Sequence, residues 1–101
     1  MDINKLLLEA IALRKCIDAT YNRTSFILAP HILYTRHGEL HIDAVAIERD
    51  GQPPREMKLG TFKLAGLNVT GFSGRDFVPA NLFDPKDRKY GDTTLFAVET
   101  N

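Results

Sequence analysis

The spacing of the apolar residues changes once, at about residue 15, and that change limits the fold more than any other feature of the chain. Before it, Ile3, Leu6, Leu7, Ala10, Ile11 and Leu13 keep the i, i+3, i+4 spacing of a helix stripe. Leu8 and Ala12 widen that stripe, which predicts a helix covered on more than one side. Asp2 is placed to cap its start, and Arg14 and Lys15 suit the negative end of its dipole. After it, apolar and polar residues alternate with period two, so everything that follows reads as strand, turn or loop.

The first alternating run is 16–21, with Ile17, Ala19 and Tyr21 against Cys16, Asp18 and Thr20, and it follows the helix almost without a loop. Residues 22–25, NRTS, form a turn by composition. Residues 26–36, FILAPHILYTR, are extended, and Pro30 marks an edge, a bulge or a break because it cannot donate to a ladder. His37 and Gly38 predict a tight turn. Residues 39–49 form the longest strand, with Leu40, Ile42 and Ala44 inward and Glu39, His41 and Asp43 on the wet face. Residues 50–54, DGQPP, are a loop, 55–59 a short strand ended by a bend at Gly60, and 63–72 a further strand. One helix followed by five or six short strands predicts a mainly β domain, a small barrel closed against the helix.

Beyond Phe72 the chain turns rich in Gly, Pro and charge while keeping Phe77, Val78, Leu82 and Phe83. The expected division is a helix-plus-barrel unit over 1–77 and an irregular extension over 78–101 packed on it. Residues 93–99 add a last strand, either to this sheet or to a neighbouring chain. A chain of 101 residues with 44% hydrophobic residues makes one small domain. Its 13 Lys and Arg balance 13 Asp and Glu, so bulk charge does not mark a nucleic-acid binder, and only a local patch would serve. The single cysteine, Cys16, reads as a small buried hydrophobe. With no signal sequence and no membrane-length apolar run, the expected location is the cytoplasm.

The order of these features resembles the WYL domain family. Tyr21 closes the first strand, Pro30 and Leu33 follow, and Gly38 precedes the strand with Ala44. Residues 40–42, LHI, stand where the family has its Trp-Tyr-Leu run, and 55–62, REMKLGTF, stand where it has an arginine-bearing strand. The resemblance covers roughly residues 5 to 77. It implies an Sm-like, SH3-type small β-barrel preceded by a helix. It also implies a regulatory or ligand-sensing module, not an enzyme, with a groove for nucleic acid or a nucleotide-type ligand lined by Tyr21, His41, Arg55 and Lys58. Here His41 replaces the family tyrosine and Gly60 and Thr61 stand in place of an Asp-Arg pair, and with no room for it in 101 residues the family's usual winged-helix domain is not expected.

Taken singly, the candidate residues are less specific. His41 either stacks on a base or is a half-exposed strand histidine. Arg55 and Lys58 offer phosphate contacts, but three positions apart on a strand they fall on opposite faces. Arg23, Arg36, Arg49 and Lys63 are spread evenly enough to be solvation. Tyr21 and Tyr34 read as packing residues with wet hydroxyls, and the six phenylalanines as core or tail anchors. His31, His37 and His41 lack the spacing of a metal site, the serines lack a nucleophile elbow, and no catalytic residue, metal or cofactor is expected. The competing reading is a protein-interaction or oligomerisation module acting through edge strands, without a nucleic-acid ligand.

Overall fold

The computed structural model describes residues 3–91 and 93–100; Asp2 and the side chain of Ile3 lie outside the described part. It is mainly β, with one N-terminal helix, α1 (Ile3–Leu13), and six strands in one antiparallel sheet: β1 (Lys15–Tyr21), β2 (Thr24–Arg36), β3 (Glu39–Arg49), β4 (Leu59–Lys63), β5 (Leu67–Asp76) and β6 (Thr94–Ala97). The hydrogen-bonded path runs β4-β3-β2-β1-β5, and β6 pairs with β2. A 3-10 turn, Leu64–Gly66, joins β4 to β5, the two ends of that path. Among the described residues no ladder joins those ends; the 3-10 turn alone bridges them. No described helix is long and apolar enough to cross a membrane.

α1 buries Leu6, Leu7, Ala10 and Ile11 and leaves Leu8, Ala12 and Leu13 exposed, so it is covered on one side rather than several. It stops at Leu13 because Arg14 takes a left-handed φ of 57°. That single residue turns the chain, and β1 begins at the next one. Lys15 therefore lies in the sheet and pairs with Asp76 at 3.0 Å instead of serving the helix dipole.

Two two-residue turns with positive φ at both positions set the strand register, Asn22-Arg23 (50°, 63°) and His37-Gly38 (53°, 77°), and Asp50-Gly51 (50°, 81°) makes the same turn at the end of β3, where Arg49 bridges Gln52. Both-positive φ is the twist that matches a hairpin. Thr24 and Ser25, expected in a turn, already belong to β2. Residues 55–58 are not a strand; β4 begins at Leu59 and runs through Gly60, which is therefore no bend.

β2 explains Pro30. One edge of β2 pairs with β3 along its length. The other edge pairs with β1 over 24–28 and with β6 from Ile32 to Tyr34. Residue 30 falls in the gap between those two partners, with a register shift just beyond it, so the missing N–H interrupts no ladder on that side. β6 thus pairs within the chain.

β2 and β3 are buried on both faces at their centres, over 28–34 and 42–45. Ile42 and Ala44 join the main core with α1, Ile17, Leu28 and Phe62. Cys16, Ala29 and Val45 form a second cluster that Phe77 and Ala80 cover. The cover is residues 77–91, an irregular strap laid across the sheet. It buries Asp43 completely and Tyr34 almost so, where alternation had placed a wet carboxylate and a wet hydroxyl.

Candidate functional site

Two places in the structure gather polar chemistry. The first lies where β2 and β3 part, at the end opposite the His37-Gly38 turn. Phe26 there pairs across the ladder with Arg49, whose guanidinium lies over the ring, 5.9 Å from its centre. Beyond it the chain leaves the sheet through Asp50-Gly51 and wraps back along Pro53 and Pro54. An open groove of about 760 Å³ results, lined by Phe26, Ala46, Arg49, Pro53, Pro54, Arg55 and Lys58 among others. Arg55 and Lys58 share it because 55–58 is irregular, which removes the opposite-face constraint that a strand would impose. Lys58 also meets Glu56 at 3.4 Å, a pair in which both side chains are exposed.

Of the four residues expected in a ligand groove, Arg55 and Lys58 line this one, and Tyr21 and His41 do not. Tyr21 stands behind it: its ring meets Phe62 edge-on at 5.1 Å, and Phe62 meets Phe26 at 5.5 Å, so three rings run from Tyr21 to the groove wall. The Tyr21 hydroxyl accepts the Lys63 N–H at 3.3 Å, and the ring packs so closely on Gly66 that a Cβ there would lie 3.3 Å away. His41 sits on the other face of the sheet, half-buried, stacked on Tyr34 at 5.8 Å with Nδ1–H donating to the Glu39 carbonyl at 3.0 Å. Sequence reading missed Phe26 and Arg49 because their partnership exists only through the β2–β3 register.

The second place is Asp43. Tyr34 and Thr61 donate to its Oδ1 at 2.7 and 2.8 Å. Tyr90 donates to Oδ2 at 2.6 Å, and the Lys89 ammonium lies 2.7 Å from the same oxygen. Burial opposes the charge, but Lys89 and the three hydroxyls outweigh it and hold the carboxyl below its ordinary 3.8. Burial and the neighbouring carboxylate push Tyr34 up to about 12 and raise Tyr90 as well. With four donors the carboxylate has filled its lone pairs, so it is a pin that holds the strap and not a free base.

His31 is the other pin. It is fully buried, donates from Nδ1 to the Ala29 carbonyl at 2.7 Å and accepts the Ala80 N–H on Nε2 at 3.0 Å. Phe77 and Phe83 of the strap pack on its ring at 4.9 and 5.2 Å. Burial lowers its pKa from 6.5, against the raising effect of the Ala29 carbonyl and Asp43. Cys16 is buried and its thiol is raised above 9.0, chiefly by that burial, which leaves it unreactive.

No protein-family model, no curated protein and no solved structure matches this chain.

Proposed function

We propose that the chain is a non-enzymatic, WYL-like regulatory or ligand-sensing module that takes nucleic acid or a nucleotide-type ligand in the groove beside Phe26. One observation carries this reading: Arg49, Arg55 and Lys58 converge on an open groove that also offers an aromatic ring. In a chain of zero net charge these three cations make a local patch where the bulk offers none. Cations bind phosphate oxygens, and a ring beside them gives a base something to stack on. The Lys58–Glu56 pair is exposed and therefore weak, so a phosphate can displace the carboxylate.

The test is fluorescence anisotropy of labelled single-stranded DNA and RNA against purified protein at low and moderate salt. Binding should weaken with salt, with a log–log slope of about −0.7 per phosphate contacted. Arg55→Ala and Lys58→Ala should each flatten that slope by about one contact, and Phe26→Leu should cost ~1–3 kcal/mol of stacking. His41→Ala should leave affinity unchanged; a loss there would move the ligand to the Tyr34–His41 margin. Absence of binding at low salt overturns the reading.

A second reading rests on β6, which pairs with β2 on one edge and exposes Leu95 and Phe96. Such a strand offers backbone and apolar side chains to another chain. Self-association that is insensitive to salt, seen by analytical ultracentrifugation and removed by Phe96→Lys, would favour this interaction module.

A further inference from the structure

The strap is held unlike the rest of the molecule. Its internal backbone bonds, such as Phe83 N–H to Ala80 O and Tyr90 N–H to Asp87 O, close local four-residue turns. Phe83 and Tyr90 bury in the main core, but its hydrogen-bonded and ionic ties to sheet side chains run through two titratable groups, His31 on β2 and Asp43 on β3. Phe77 N–H to Arg14 O anchors one end, and β6 follows the other.

We propose that residues 77–91 are a pH-gated cover, which protonation of His31 releases from the sheet while the sheet itself stays folded. Neutral His31 is locked in one tautomer, with Nδ1–H given to Ala29 and the Nε2 lone pair taken by Ala80. A second proton would sit on Nε2 and face the Ala80 N–H at 3.0 Å, donor against donor. The charged group facing the ring is Asp43, from β3, and its oxygens already hold Lys89, Tyr90, Tyr34 and Thr61. From the strap come the rings of Phe77 and Phe83, and from beyond β6 the Val98 N–H, which binds the backbone carbonyl of His31. The imidazolium therefore has no free acceptor in the closed form and finds water in the open one.

Asp43 sets the order of events. Its carboxylate stays ionised at mildly acid pH, so of the two ties only His31 changes charge there. Opening strips Lys89 and Tyr90 from Asp43, which resists release and moves its midpoint below 6.5. The uncovered face carries Tyr34 and Asp43, an aromatic ring and a carboxylate that are closed to solvent at neutral pH.

Amide hydrogen exchange on the full chain, corrected for the intrinsic pH dependence of exchange, tests this between about pH 7.5 and about pH 4.5. The Ala80 and Tyr90 amides should lose protection as pH falls, with the open fraction rising by up to about tenfold per unit below 6.5. Amides of β1, β2 and β3 should stay protected over the same range. His31→Gln supplies an acceptor that does not titrate, and should abolish the pH dependence of opening. Should that variant not fold, the ring nitrogen shifts of His31 in the parent decide: conversion from the Nδ1–H tautomer to imidazolium should coincide with strap opening. Strap and sheet opening at one common pH, a strap that stays closed, or an unchanged pH profile in His31→Gln each overturns the proposal.

Discussion

Asp43 shows how much one side chain can organise. A carboxylate removed from water is costly unless its charge and lone pairs are matched, and here a lysine and three hydroxyls match them. Asp43→Ala would orphan the hydroxyls of two buried tyrosines and is expected to cost about 3–5 kcal/mol, read as a lower urea midpoint. Tyr90→Phe removes one donor and leaves the carboxylate its other partners, so about 1–2 kcal/mol is expected. In the sequence Asp43 is simply the polar member of an alternating pair with Ile42. Its hydroxyl partners lie 9, 18 and 47 residues away, and nothing local announces the last of them.

Elements are where local chemistry speaks most clearly. His37-Gly38 is legible as a turn because glycine is the residue that tolerates positive φ, and 50–54 is legible as a loop. Nothing lies within 4 Å of a Cβ built on Gly38, so Gly38→Ala should cost the strain alone, about 1–2 kcal/mol by thermal melt. Arg23 holds the equivalent place in the first hairpin at φ 63° and carries that strain already. Arg23→Gly should therefore raise stability by about 0.5–1 kcal/mol. The expected strand at 55–59 failed for a different reason. Pro53 and Pro54 hold the chain off β3 until Leu59, and the stretch they displace becomes a wall of the groove.

At the scale of the whole molecule, the two pins predict how stability depends on pH. Both His31 and Asp43 have pKa values lowered by folding, so in each case the unfolded chain binds the proton more readily. Their contributions are complete above the unfolded values, 6.5 and 3.8, and are lost as pH falls below them. Urea melts should show stability flat between 6.5 and the 9.0 of an unfolded thiol, declining below 6.5 through His31, and declining again below 3.8 through Asp43. His31→Gln should remove the first decline and keep the second.

The class of the fold can be read along the chain: one helix, a change of period at residue 15, short strands, and a turn where glycine permits positive φ. Those properties depend on the backbone and on near neighbours, and a one-dimensional pattern carries them. Which face of β3 is wet cannot be read that way, because it depends on residues 77–91 returning across it. The same holds for which cations meet, since Arg49, Arg55 and Lys58 share a groove only through the β2–β3 register and the path around two prolines. Burial and convergence are properties of contacts distant in sequence, and alternation cannot report what another segment brings to a face.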